Sequence, residues 1–127
     1  MNRVLIIDDD KGYLKFIRRY VEEHFPALQV ETCDNALQGL KLIATQPDLL
    51  LLDLEMPDMD GKKLLVFAIE QGLNKNRIII LSGHHADVLH QQFPMGSCLA
   101  VLNKHESRQK AVLDMIFNSL QAKDPEG

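Results

Sequence analysis

The stretch that most constrains this chain is Leu49-Leu50-Leu51-Leu52-Asp53, continued by Leu54-Glu55-Met56-Pro57-Asp58-Met59-Asp60-Gly61. Four consecutive leucines at strand length read as a β-strand buried on both faces, because alternate side chains must point into apolar surroundings on either side. Such a strand needs helices above and below it, which is the environment of a parallel sheet. Asp53 falls where the strand leaves the sheet. Pro57 cannot donate to a ladder and pre-sets a turn, which Asp58, Asp60 and Gly61 continue. A helical pattern then starts at Asp60 or Gly61, with Leu64, Leu65, Ala68 and Ile69 on one side. A carboxylate at the carboxyl end of a buried parallel strand stands where open α/β sheets place ligand chemistry.

The rest of the chain repeats the alternation. Arg3 to Asp8 is a first two-faced strand, followed from about Lys11 to Phe25 by a helix with Leu14, Ile17, Val21 and Phe25 at helical spacing. Asp9 or Asp10 supplies its N-cap and Pro26 ends it. Leu28 to Cys33 is a second strand. Asp34 or Asn35 caps a helix from Ala36 to Thr45 with an inner stripe of Leu37, Leu40 and Ala44, stopped by Pro47. After the third helix, closed by Gly72, Asn74-Lys75-Asn76 is loop and Arg77 to Leu81 a fourth strand, broken at Ser82-Gly83. A short polar helix is expected over His85 to Phe93, a fifth strand over Cys98 to Asn103, and a last helix from Ser107 to about Ala122 with Val112, Met115, Ile116 and Leu120 inward. Five βα units with short connections imply a parallel sheet with right-handed crossovers and helices on both faces.

With 127 residues the chain reads as one domain, over 1–122, with 123–127 as a linker or appended tail. Folding at this size removes roughly two-thirds of the unfolded surface from water, enough for a core without staples. A net charge of −4 argues against nucleic acid or an anionic membrane as direct partner. Asp8, Asp9 and Asp10 interrupt the one apolar stretch near the N-terminus, so a cytoplasmic protein is expected. Cys33 and Cys98 form neither a disulfide framework nor a metal spacing, and both read as reduced.

In a parallel sheet the carboxyl ends of all strands share one edge. Strand one delivers Asp8 and Asp9 there, strand three Asp53, strand four Ser82 and strand five Lys104. Carboxylates packed that closely repel unless a hard divalent cation neutralises them, and oxygen ligands with open positions suit Mg²⁺ or Mn²⁺. A lysine and a hydroxyl opposite the metal suit a phosphoryl group. The milder reading of Asp10 is a helix cap, and of Ser82 a cap for the following helix. His84, His85 and His90 lack metal-ligand spacing and read as surface residues.

These residues carry a resemblance. Leu5-Ile6-Ile7-Asp8-Asp9-Asp10, Leu50-Leu51-Leu52-Asp53-Leu54-Glu55-Met56-Pro57 with Asp60-Gly61, Leu81-Ser82-Gly83 and Leu102-Asn103-Lys104 together resemble a receiver (CheY-like) domain of a bacterial two-component response regulator, over nearly the whole chain. The resemblance implies a flavodoxin-like (βα)5 three-layer sandwich with a five-stranded parallel sheet in order 2-1-3-4-5. It implies that Asp53 accepts a phosphoryl group from a histidine kinase or phosphotransfer protein. Asp8, Asp9, Asp53 and the backbone carbonyl of Glu55 would hold Mg²⁺, Ser82 would bond a phosphoryl oxygen, and Lys104 would pair with its charge. The activity would be self-directed, transfer followed by hydrolysis, rather than that of an enzyme on an external substrate. Output or dimer contacts would use the fourth helix, fifth strand and fifth helix, a face that includes His85, Asp87, His90, Gln91, Val101 and Arg108. The strand order would set Cys33 and Cys98 on opposite edges of the sheet, excluding a disulfide within one molecule.

Three departures qualify the resemblance. Receivers usually follow the lysine with a cis proline; here it is His105, and a cis bond before it would cost roughly 2.5–4 kcal/mol, so a trans bond is expected. The aromatic switch residue is replaced by Val101, whose branched side chain cannot swing as a ring does. Glu55 and His84, two residues after Asp53 and Ser82, flank the phosphoryl position and are candidates for tuning its lifetime. Two alternatives follow: a receiver that has become a phosphorylation-independent binding module, and a haloacid-dehalogenase-type phosphohydrolase, whose opening motif Asp8-x-Asp10 mimics. The latter also needs a second acidic pair beyond the lysine, where the chain offers only Glu106 and Asp114, and room for a cap.

Overall fold

The leucine and isoleucine runs form the centre of a parallel sheet. The computed structural model of the chain describes residues 2–53, 55–56, 59–82, 100–103 and 107–122. Strands β1 (Arg3–Ile7), β2 (Gln29–Cys33), β3 (Leu49–Asp53), β4 (Ile78–Ser82) and β5 (Ala100–Asn103) are all parallel, in the order β2-β1-β3-β4-β5. The flavodoxin-like five-stranded architecture expected from the sequence is the one observed. Every residue of β3 and β4 is buried, as two-faced strands require.

The strand pleat divides the core in two. Val4, Ile6, Leu49, Leu51, Ile79 and Leu81 face helix α1 (Lys11–His24) and the C-terminal helix (Ser107–Ala122). Leu5, Ile7, Leu50, Leu52, Ile78 and Ile80 face α2 (Ala36–Ile43) and α3 (Gly61–Glu70). Asp10 caps α1, its carboxylate accepting the Tyr13 N–H at 3.1 Å, and Asn35 caps α2 by accepting the Gln38 N–H at 2.8 Å. Gly72, at φ +98°, ends α3: its N–H donates to Ile69, that of Leu73 donates to Ala68, and the Leu73 side chain is buried, the complete left-handed helix stop.

Two expected faces turn out rotated, and a third loses one residue. In α2 the buried residues are Ala36, Gly39 and Ile43, with Leu40 half-buried, while Leu37 is 69% exposed and Ala44 is also at the surface. Gly39 gives the reason. A Cβ there would come within 2.9 Å of Ile7 Cδ1, so the helix lies on the sheet along its smallest residue. In the C-terminal helix Leu113, Phe117 and Leu120 form the buried stripe, Val112 and Ile116 flank it, and Met115 is 73% exposed. That stripe is turned by about a quarter of a circle from the expected one, drawn by Phe117, which has no exposure and packs on Phe25 at 5.5 Å. Ile69 is exposed at the edge of α3, where Leu64, Leu65 and Ala68 bury. Two small elements stand where the sequence suggests loop or turn: a 3₁₀ turn at Lys75–Arg77, and a ladder pairing Glu55 with Asp60 and Met56 with Met59. The expected helix over His85 to Phe93 lies outside the described residues, as does the tail 123–127.

Candidate functional site

The chain leaves β1 at Ile7 and reaches the N-cap of α1 in three residues, and those three are aspartates. Asp8 continues the line of β1: its N–H donates to the Cys33 carbonyl at 3.0 Å. Its Oδ1 accepts the Asp10 N–H at 2.9 Å, a side-chain turn that folds the acidic run back on itself. Asp8 is therefore fully buried, while Asp9 and Asp10 reach solvent. On the neighbouring strand Asp53 is the last residue of β3, paired with Leu81 and 1% exposed. Ser82 ends β4, paired with Asn103 and fully buried.

Carboxylate oxygens of Asp8, Asp9 and Asp53 lie within 4.8 Å of one another. Two are buried and the third forms the mouth. Like charges held that close in a poorly solvated place repel strongly, and hard oxygen donors in this number and spacing fit a divalent cation that keeps water in its remaining positions. Lys11, two residues after Asp9, reaches instead to Asp34 at 3.6 Å from the solvent side. The residues present thus fit a metal, and the geometry is that of an acidic pocket for a divalent ion.

Beyond Asp53 the backbone of Glu55 pairs with Asp60. Val101 pairs with Ile80 in the middle of β5. Arg108 belongs to the first turn of the C-terminal helix. Lys104, His84, His85, Asp87, His90, Gln91 and His105 lie outside the described residues, and so does Cys98. Cys33 is buried, its thiol donating to the Asn35 carbonyl at 3.0 Å; burial pushes its pKa up, which keeps the sulfur protonated and unreactive.

One residue at the site was not singled out from the sequence. Tyr13, in the first turn of α1, is half-buried beside the core cluster containing Ile6, Leu81 and Leu102. Burial pushes its phenol up to about 12, with the charges of Asp8 and then Asp53 adding to the effect. The signal available in the sequence was an aromatic residue one helical turn beyond an acidic run.

Comparison with known proteins agrees with this geometry. The family model described as the response regulator receiver domain matches residues 4–116. The chain is 28% identical over 112 residues to the virulence transcription regulator BvgA of Bordetella pertussis, covering 87% of this chain and 53% of that protein. It is similar to a CheY-like receiver domain protein from Methanospirillum hungatei, at TM-score 0.72 and 27% identity over 100% of this chain and 99% of the other. A Burkholderia pseudomallei response regulator, solved with a phosphorylated aspartic acid and a calcium ion, shares the fold at TM-score 0.73 and 18% identity, over 98% of this chain and 74% of that one. The chain spans between 12% and 53% of the length of the curated relatives it matches. No helix among the described residues is long and apolar enough to cross a membrane.

Proposed function

The chain belongs to the response regulator receiver domain family, and from that membership we propose that it is a phosphorylation-controlled switch whose acceptor is Asp53. The observation that carries the proposal is the placement of Asp53 at the end of a fully buried strand with oxygens of Asp8 and Asp9 within 4.8 Å. Asp8, Asp9, Asp53 and the backbone carbonyl of Glu55 would hold Mg²⁺, with Mn²⁺ as the second candidate. When bound, such an ion neutralises the carboxylates and draws in phosphoryl oxygens.

The carboxylate oxygen of Asp53 then needs little beyond positioning to act as nucleophile. Its bond to phosphorus forms as the phosphorus–nitrogen bond of a phosphohistidine breaks, the electron pair returning to the imidazole nitrogen. Hydrolysis reverses the gain: water adds to phosphorus, its proton goes to solvent, and Asp53 is restored with release of inorganic phosphate. The Ser82 hydroxyl donates to a phosphoryl oxygen and Lys104 pairs with the phosphoryl charge, contacts made only in the phosphorylated state, which is what a two-state switch requires. Glu55 and His84 flank the group and set its lifetime through the approach of water. Val101 leaves the switch without a swinging ring, so coupling to the output face runs through Ser82 and Lys104.

The donor in this reading is a sensor histidine kinase or a phosphotransfer protein, which puts the chain in the cytoplasm. The output is an effector domain or a downstream protein engaging the fourth helix, fifth strand and fifth helix, where homodimerisation would also occur. Residues 1–122 would form the receiver unit, with 123–127 a linker or an appended tail. The chain acts only on itself. The converged acids favour this switch over a phosphorylation-independent binding module, which has no use for them, and the family match favours it over a phosphohydrolase. The test is phosphorylation by acetyl phosphate followed by hydroxylamine. The wild type should carry a label that hydroxylamine removes, as it does an acyl phosphate, and Asp53→Asn should carry none. A hydroxylamine-stable label, or one that survives Asp53→Asn, would assign the chemistry to another residue.

A further inference from the structure

Strand β2 is the outer strand of the sheet, and its ladder bonds run to one side. The Gln29 N–H donates to the Asn2 carbonyl at 2.7 Å, and the Cys33 carbonyl accepts the Asp8 N–H at 3.0 Å. Backbone groups of successive residues in a parallel strand point alternately to its two sides. Gln29, Glu31 and Cys33 therefore bond toward β1, while Val30 and Thr32 aim their N–H and C=O groups outward. Among the described residues no strand lies beyond them. An edge of this kind is a template for one more strand.

Beside the same edge α1 carries a row of cations. Lys11, Lys15 and Arg18 stand at i, i+4 and i+7, hence on one face. Together with Thr32 and Gln38 they line an open cavity of about 610 Å³, where Asp34 is the one acid among the described lining residues. Val30 belongs to the core on the α1 side, and Thr32, two residues on, points the same way. All three cations are exposed. Lys11 reaches Asp34 at 3.6 Å, Arg18 pairs with Glu22 at 3.0 Å, and Lys15 has no ion pair among the described residues. The helix itself does not call for this arrangement. Its macrodipole favours acids in the first turn and bases in the last, yet α1 starts on Lys11, has no acid in its first turn and ends on Glu22, Glu23 and His24. Cations set against the macrodipole, in a chain of net charge −4, point to a use outside the helix.

We propose that the edge of β2 and the cationic row of α1 form a docking groove for an extended acidic segment of a partner protein, which adds to the sheet as a further strand. The backbone of the segment pairs with Val30 and Thr32, and its side chains on the α1 side meet Lys11, Lys15 and Arg18. Spacing defines the motif. Lys11 and Lys15 stand about 6 Å apart along the helix axis and Lys15 and Arg18 about 4.5 Å, while alternate residues of a strand are roughly 6.6 Å apart. Acids at every second position therefore follow the row. Backbone pairing supplies the affinity, and charge selects the partner. Nothing in this depends on phosphorylation of Asp53.

The probe is a fluorescein-labelled nonapeptide alternating glutamate and threonine, titrated into the full chain at low salt. It should bind saturably. Amide hydrogen exchange at Val30 and Thr32 should slow on binding, while that at Glu31, already bonded toward β1, should not change. A peptide of the same composition with its glutamates grouped at one end should bind more weakly. Lys15→Glu combined with Arg18→Glu should melt within a few degrees of the wild type and weaken binding by about ten-fold or more. Thr32→Pro, which removes an outward N–H that an edge strand can spare, should weaken binding as well. Equal binding of the two peptides, or binding without slower exchange at Val30 and Thr32, shows charge attraction without strand pairing and overturns the proposal. So does a folded double variant that binds like the wild type, or the absence of saturable binding. Tighter binding of duplex DNA than of the alternating peptide at the same salt also overturns it, making the groove a nucleic-acid site.

Discussion

At the amino ends of the strands Arg3 donates to Glu31 at 2.8 Å and to the Thr45 hydroxyl at 2.7 Å, and its backbone N–H donates to the Asp48 carboxylate at 2.9 Å. Asp48 is held again from the other side, where Arg77 donates to its carbonyl at 3.2 Å. At the carboxyl ends of the same strands Asp8, Asp9 and Asp53 converge with oxygens within 4.8 Å. At one end of the sheet Glu31 meets the guanidinium of Arg3 and the Asp48 carboxylate meets a backbone N–H. The other gathers acids of one sign, two of them buried, around a place that a cation fits. Balanced charge at a partly exposed edge adds modestly to stability, whereas concentrated charge at a buried edge costs stability and gains binding capacity.

The comparison is sharpened first by the metal. Mg²⁺ at a hundred times its dissociation constant should stabilise the fold by about 2.7 kcal/mol, seen as a rise in Tm that EDTA reverses. Changing Asp8 to Asn should remove that response. In EDTA, Asp8→Asn should be more stable than the wild type by about 1 kcal/mol, because it removes one of the repelling charges; urea unfolding without metal checks the sign. The opposite edge should behave in reverse. Arg3→Ala should cost about 1 kcal/mol, with no change in Mg²⁺ affinity or in the rate of phosphoryl uptake. An Arg3→Ala effect on phosphorylation as large as that of Asp8→Asn would erase the distinction between the two edges.

The smallest effect concerns Tyr20, half-buried between α1 and the C-terminal helix. Its hydroxyl donates to Asp114 Oδ1 at 2.5 Å and the Lys110 ammonium lies 4.5 Å above its ring. That hydrogen bond pushes the phenol from 10.0 to about 12, burial and the Asp114 charge adding to it. The folded state thus holds the proton more tightly than the unfolded one. The contribution is complete below pH 10 and is lost as pH rises from about 10 to about 12. Tyr20→Phe should flatten the fall in Tm across that window.

Much of this was legible in the residues. The leucine run of β3 admits only a strand covered on both faces, and an aspartate at its end, with two more after β1, marks the edge where ligand chemistry collects. The caps were readable to within one residue, Asp9 or Asp10 and Asp34 or Asn35, and the stop at Gly72 outright, because each has a local mechanism. Helix faces were harder. Periodicity counts apolar residues without knowing that Gly39 admits a close approach or that Phe117 outweighs Met115 in the core. Tyr13 escaped because an aromatic residue half in the core and half in a site has no pattern of its own. The pairing of Glu55 with Asp60 depends on the backbone's path after Asp53, which turn-forming residues suggest without specifying.

The most direct test is the intact mass of the chain after acetyl phosphate with Mg²⁺, measured beside an EDTA control and Asp53→Asn, with fragmentation to locate the added group. A single phosphoryl-sized gain on Asp53, dependent on Mg²⁺ and absent from the variant, is the predicted result. A gain that persists in EDTA, or that maps to a residue outside the acidic pocket, would contradict the account.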